Sequence, residues 1–270
     1  MPDLTAIDDW PVEHAVAVAL LPDGSTISHG DIDRPFHLAS VTKVLTALAV
    51  LVATEDGTVH LNDSAGPPGA TVAHLLAHAS GLAPDSDEIL AAPGDRRIYS
   101  NRGFEILGEV LVEKSGLTAA QWVAEAVLTP LGLTSTSVEG SPAHGATSSA
   151  ADLSRVAADL LSPAPTLVAS TTRDALTTVA FPSLAGVLPG FGGQDPNPWG
   201  LGVEIRGRKS PHWTPDTAST ATFGHFGRAG TFVWCDPVRD VALVVLTDRE
   251  FGQWAPPLWR ALGDDVLAAT

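Results

Sequence analysis

Between Val41 and Thr54 the chain reads VTKVLTALAVLVAT, apolar at nearly every position and broken by a single charge, Lys43. An apolar run that wraps every face of a helix belongs inside a protein, so the pattern predicts a central, buried helix beginning near Ser40. Ahead of it, HAVAVALLPDGSTISHGDID reads as two strands about a turn at Asp23-Gly24. From about residue 62 to 185 the pattern is mostly helical. TVAHLLAHASGL, GFEILGEVLVEKSG and AAQWVAEAVLTPLG repeat their apolar positions at helical spacing and end close to a glycine. SSAADLSRVAADLL opens with Ser149 and Asp152 at the spacing of a capping box.

The character changes near residue 185. A Gly/Pro-rich connector, AGVLPGFGGQDPNPWG, leads into four strand-like segments, LGVEIRG, TFGHFG, GTFVWCD and VALVVLTD, and a last helix around Trp254 to Leu267. Strands at both ends and helices between them predict an α+β fold, an α/β sandwich. Its antiparallel sheet is built from the N- and C-terminal parts and flanked by helices. Residues 1–61 and 186–270 would form the sheet-and-helix domain and residues 62–185 an inserted helical domain. The site is expected in the cleft where the two meet.

Composition narrows the partners. The 270 residues carry 15 Lys+Arg against 31 Asp+Glu, a formal charge of −16. Nucleic acid requires a basic footprint, and anionic membranes repel an acidic chain, so neither is an expected partner. The longest uncharged apolar run, Val44 to Thr54, is too short to cross a bilayer. No signal peptide is visible, so the expected address is cytoplasmic. The single cysteine, Cys235, excludes an internal disulfide and reads as a small buried hydrophobe. The oligomeric state is not legible. Only Lys43, Lys114 and Lys209 are lysine, which makes the position of each informative.

Ser40 and Lys43 lie three apart and share one helix face. Ser40 falls in the first turn, where unpaired N–H groups and the helix dipole can stabilise an oxyanion. Lys43, among Val, Leu and Ala, is desolvated, which lowers its pKa toward neutrality. A neutral lysine there can take the proton of the serine hydroxyl. The alternative is a lysine snorkelling from the helix end.

Further motifs follow in order: Tyr99-Ser100-Asn101 ahead of a helix, and His225-Phe226-Gly227 in a strand, with LLAHASGL and ATSSAADLSR between the first motif and the last. Together with Ser-x-x-Lys they resemble the serine β-lactamase-like superfamily: class C β-lactamases, D-alanyl-D-alanine carboxypeptidases and related esterases. The resemblance spans roughly residues 36–249 and implies a β-lactamase/transpeptidase-like fold. It also implies roles. Ser40 is the acylated nucleophile and Lys43 its base or proton relay. Tyr99 is a phenolate-like base or a proton shuttle. Asn101 orients the substrate carbonyl or the lysine. His225 and Gly227 line the substrate, and the backbone N–H groups of Ser40 and Arg228 form the oxyanion hole.

The third motif departs from the Lys-Thr-Gly of many β-lactam-processing relatives. His225 is expected to be only partly charged near neutrality, and Phe226 has no hydroxyl. Arg228 either replaces the missing cation or points to solvent. The spacing of His74 and His78 allows a metal, but no H-E-x-x-H glutamate accompanies it, and neither a metal nor a cofactor is expected. The Gly-x-Gly at residues 190–192 is followed by prolines and not by a helix, which argues against a dinucleotide site. No G-x-S-x-G elbow is present. Trp199 and Trp213 line the pocket or cover the domain seam, and PDSDEI reads as a solvated loop. The expected activity is that of a serine hydrolase forming an acyl-enzyme with an ester or amide, esterase-like first. D-amino-acid peptidase or β-lactamase activity is the alternative, and a penicillin-binding-type protein acylated without turnover is the reading from another class.

Overall fold

The computed structural model describes residues 2–270. The chain enters through β1 (Ala15–Leu20) and β2 (Thr26–His29), then β3 (Phe36–His37) and a single 3-10 turn, Ala39–Val41, that runs directly into α1 (Thr42–Glu55). The middle of the chain holds α2 (Val72–Leu76), α3 (Asn101–Ser115) and α4 (Ala119–Val123), the last continued by a π turn, Ala124–Leu128, into α5 (Thr129–Leu131). Next come β4 (Ser137–Val138), β5 (Ala146–Ser148), α6 (Ala150–Leu161) and α7 (Ser170–Thr177). The last third forms β6 (Gly186–Leu188), β7 (Gly192–Gln194), β8 (Glu204–Ile205), β9 (Phe223–Gly227), β10 (Thr231–Asp236), β11 (Val241–Thr247) and α8 (Ala255–Ala268).

The main sheet is antiparallel, in the order β2-β1-β11-β10-β9-β8. As expected, strands from the two ends of the sequence lie side by side. β10 and β11 are buried at every position because both sheet faces are covered. Val16, Val18, Val233, Val244 and Leu246 face one apolar core with α1 and α6, while Ala17, Phe232, Trp234, Leu243 and Val245 face a second with Trp259, Leu262 and Val266 of α8. Side chains alternate between the faces of a strand, so two buried faces turn the expected alternation into the continuous run VALVVLT.

α1 is buried from Thr42 to Leu51 and again at Ala53, the central helix its composition predicts. Ser100 caps α3 by accepting from the N–H of Gly103 at 3.0 Å, and Gly116 ends it at φ +76°. Ser149 caps α6 through the N–H of Asp152. The stretch 62–185 is less helical than its periodicity suggests. It contains β4 and β5, which join β3 in a small sheet of their own, and α6, which packs on β1, β10 and β11. TVAHLLAHASGL yields only the five residues of α2. His78 lies beyond the helix at φ +54°, so His74 and His78 do not share a helical face. Among the described residues no helix is long and apolar enough to cross a membrane.

Candidate active site

Three segments far apart in sequence meet at the first turn of α1. The 3-10 turn presents Ser40, and Ala39 before it adopts φ +46°, a left-handed conformation that costs a non-glycine residue on the order of 1–2 kcal/mol. Strand β9 is pressed against this turn. A Cβ on Gly227 would overlap the Leu38 carbonyl oxygen and stand 3.2 Å from the Ala39 side chain, so only glycine lets the strand approach so closely. Thr231 on β10 fastens the contact by donating to the Leu38 carbonyl at 2.8 Å.

Lys43 lies one turn below Ser40 and is completely buried. Its Nζ stands 3.3 Å from Ser40 Oγ, donates to Asn101 Oδ1 at 2.7 Å and to the Ala143 carbonyl at 2.9 Å, and lies 4.8 Å from the centre of the Tyr99 ring. Loss of hydration brings its pKa down to about 7, with Asp85 and Glu105 opposing the shift. The Tyr99 side chain is half-buried and borders the cavity. Desolvation of its phenol raises the pKa above the ordinary value, only partly offset by the Ser40 hydroxyl. The resting Tyr99 is therefore a neutral phenol. Of the two roles the resemblance implies, a neutral phenol fits the proton shuttle better than the phenolate-like base.

Asn101 begins α3. Its carbonyl oxygen faces Lys43, and its Nδ2 donates to Asp85 Oδ1 at 2.7 Å. Of the two roles expected for it, the geometry fits orientation of the lysine. It also draws Asp85, read from sequence as part of a solvated loop, into the network. His225 is 3% exposed, and burial followed by the charge of Lys43 brings its pKa down to about 3. It is neutral at physiological pH, which corrects the expectation of partial charge. Arg228 lies at the cavity mouth with its side chain 81% exposed, 3.5 Å from Glu250.

The cavity has a volume of about 350 Å³. Ser40, Tyr99, Asn101 and His225 occupy its polar side, and Leu188, Pro189, Trp199, Phe226 and Phe251 much of the remainder. Phe226 sits edge-on to Phe191 at 5.8 Å and 5.1 Å from Phe251, so its ring belongs to an aromatic wall. Trp199 packs edge-on against His78 at 4.6 Å and His225 at 5.5 Å. Trp213 stands behind the wall, 5.6 Å from Phe226.

Sequence reading missed a buried polar hub centred on Glu204, which itself borders the cavity. Glu204 accepts from Lys209, from His212 at 2.8 Å and from the Trp213 indole at 2.5 Å. Burial alone would raise its pKa, but Lys209 and His212 more than reverse this and hold the carboxyl ionised. Lys209 also donates to Asn197 Oδ1 at 3.3 Å, the same atom that receives the Trp199 indole N–H at 3.3 Å. The scarcity of lysine was the available signal: two of three lysines are buried at or just behind the cavity. His78, from the LLAHASGL motif, is fully buried against Tyr99 with ring centres 4.5 Å apart.

A sequence model of the Beta-lactamase family matches residues 11–267. A crystal structure of a β-lactamase from Mycobacterium bovis superposes with a TM-score of 0.96 at 53% identity, covering 98% of each chain. EstCE1, a hydrolase with promiscuous acyltransferase activity, shares the fold with a TM-score of 0.80 at 18% identity, covering 97% of this chain and 96% of its own. The D-alanyl-D-alanine-carboxypeptidase/endopeptidase AmpH of Escherichia coli (strain K12) is 28% identical over 148 residues, 41% of this chain and 38% of that protein. The match thus spans well under half the length of that curated relative. With the family model covering nearly the whole sequence, the chain belongs to the Beta-lactamase family of serine hydrolases.

Proposed function

We propose that the protein hydrolyses a neutral carboxylic ester through an acyl-enzyme on Ser40. The observation that carries this reading is Lys43, a fully buried amine with a pKa of about 7, 3.3 Å from Ser40 Oγ. Neutral Lys43 takes the Ser40 proton, directly or through the Tyr99 hydroxyl, as Oγ attacks the carbonyl carbon. The oxyanion forms between the backbone N–H groups of Ser40 and Arg228. Collapse of the tetrahedral intermediate expels the alkoxide, which receives the proton held by Lys43. Water repeats the sequence on the acyl-enzyme, returning Ser40 and releasing the acid.

The neutral ester is favoured by the wall. A carboxylate against His225 and Phe226 would face a neutral imidazole and a ring without a donor, and burying it so is costly. A β-lactamase reading is second. It is supported by the 53% identity to a protein described as a β-lactamase and by Arg228 at the cavity mouth, a guanidinium suited to a substrate carboxylate.

A fluorophosphonate probe tests the nucleophile. It is expected to add once, at Ser40, and the Ser40→Ala variant is expected to stay unlabelled. Labelling that persists in Ser40→Ala, or that maps to Ser100, would remove the reading.

A further inference from the structure

The exposed, acidic stretch PDSDE, from Pro84 to Glu88, is fastened to the start of α3. The Pro84 carbonyl accepts from the N–H groups of Asn101 at 2.7 Å and Arg102 at 3.1 Å, and the Ala83 carbonyl accepts from the Ser100 hydroxyl at 2.7 Å. Arg102 Nε donates to Asp87 Oδ1 at 2.6 Å, and the N–H of Ala83 closes the loop on the Glu88 carbonyl at 2.8 Å. These bonds hold Asp85, at the middle of the loop, against Asn101, whose Nδ2 donates to Asp85 Oδ1 at 2.7 Å.

The two ends of a carboxamide are alike in shape, and their partners alone decide which way it points. A carboxylate only accepts. Asp85 therefore takes the Nδ2 end of Asn101 and leaves Oδ1 to face Lys43 Nζ, 2.7 Å away. The Ala143 carbonyl, 2.9 Å from Nζ, is also an acceptor only. A neutral amine has two hydrogens and one lone pair. With the hydrogens given to Asn101 Oδ1 and the Ala143 carbonyl, the lone pair is left for the third neighbour, Ser40 Oγ at 3.3 Å. Turned end for end, the amide would offer an N–H to Nζ, and the lone pair would be engaged there and not at the serine.

We propose that Asp85 is a positioning residue for the reaction at Ser40: by accepting from Asn101 Nδ2, its carboxylate keeps the amide oxygen toward Lys43 and leaves the amine lone pair directed at the serine hydroxyl. Asp85 does not border the cavity and acts through Asn101. The proposal rests on the reading of Ser40 as the acylated nucleophile. The charged groups acting on Lys43 are Asp85 and, one turn along α3, Glu105, both of which favour its ammonium form, while the neighbouring His78, Tyr99 and His225 are neutral.

The test measures the rate of fluorophosphonate labelling at Ser40 against pH, beside kcat/KM for p-nitrophenyl butyrate, in the wild type and in Asp85→Ala, Asp85→Asn and Asp87→Asn. Asp85→Ala frees the amide to turn and removes one anion from the surroundings of Lys43. Its rate on the high-pH plateau should fall by about tenfold or more. The limb that reports Lys43 should move to lower pH, because the ammonium loses a charge that favours it. Asp85→Asn keeps an acceptor for Asn101 without the charge, so the limb should move as in Asp85→Ala while part of the rate returns. Asp87→Asn disturbs the same loop only at Arg102 and should match the wild type in both. In an Asn101→Ala background, Asp85→Ala should lower the plateau no further, since the residue through which Asp85 acts is gone. A wild-type plateau or an unmoved limb in Asp85→Ala, a plateau in Asp85→Asn as low as in Asp85→Ala, an equal fall in Asp87→Asn, or a further loss in the Asn101→Ala background overturns the proposal. A wild type that labels at Ser40 yet hydrolyses no ester would instead defeat the ester-hydrolase reading, and the labelling rates would still decide the role of Asp85.

Discussion

Lys43 Nζ donates to Asn101 Oδ1 at 2.7 Å, joining the first turn of α1 to the first residue of α3 across 58 positions of sequence. The bond aims the amine without adding a charge that would hold its proton. With a pKa of about 7, the neutral form of Lys43 grows as pH rises, so kcat/KM for an uncharged ester should climb through about pH 7. Asn101→Asp places an anion beside the ammonium and favours its charged form. The limb should then move to higher pH by about one unit or more. A limb unchanged in Asn101→Asp would show that Lys43 is not the titrating base.

Tyr99→Phe removes one hydroxyl and keeps the ring packed against His78 and Trp199. If the phenol relays the proton between Ser40 and Lys43, kcat should fall by roughly 10²–10⁴-fold. Near wild-type kcat on every active substrate would make the tyrosine a packing residue only.

The aromatic wall and the neutral His225 predict that p-nitrophenyl butyrate exceeds nitrocefin in kcat/KM by at least about tenfold, or about 1.4 kcal/mol. Phe226→Thr is not a clean means of restoring a donor, because the ring it removes also supports Phe191, Phe251 and Trp259. Arg228→Ala is the informative variant, since that side chain is largely exposed. Nitrocefin turning over faster than the ester, with the preference lost in Arg228→Ala, would establish the arginine as the carboxylate-binding cation and the β-lactamase reading as the correct one.

Glu204→Gln would leave the Lys209 ammonium buried beside a neutral amide. Breaking a buried pair in this way costs about 3–5 kcal/mol, readable as a lowered urea midpoint. Glu204→Gln/Lys209→Met should recover much of that loss, because the stranded charge is gone. A single variant as stable as the wild type would mean that the hub contributes nothing to stability.

Gly227→Ala should fold yet lose activity. Its methyl group would drive β9 away from Leu38 and displace the turn that holds Ser40, and a shift of about 1 Å at reacting atoms can cost roughly 10²-fold. Assays with p-nitrophenyl esters beside circular dichroism would separate the two effects. Unchanged kcat would show that the turn tolerates the displacement.

Much of the fold was legible because its elements carry local signals. Asp23-Gly24 marked a hairpin, Ser149 and Asp152 a helix start, and a lysine stranded in an apolar run the candidate site. What was not legible depends on partners distant in sequence. Nothing within LGVEIRG tells that Glu204 meets Lys209, His212 and Trp213 in the interior, since a lone acidic residue in a strand-like stretch looks solvated. Asp85 sits in a polar loop that reads as solvated, although Asn101 reaches it. The neutrality of His225 and the protonation of Tyr99 follow from desolvation, which is a property of the assembled walls. Periodicity over TVAHLLAHASGL overstated a helix because it registers apolar spacing and not the left-handed turn at His78 beyond its end.

The bond from Thr231 to the Leu38 carbonyl joins positions 193 apart, and β1 finds its inner neighbour only in β11. A ribosome releases the nucleophile early and the strand that seats it much later. The growing chain therefore carries Ser40 and Lys43 through most of this stretch of synthesis before the fold that buries the lysine can close, and until then the lysine is expected to be an ordinary, protonated amine. On the ester-hydrolase reading, reactivity would arrive with the last strands, in the same event that closes the sheet, and a chain cut short before β9 is expected to leave esters untouched however well its helices have formed.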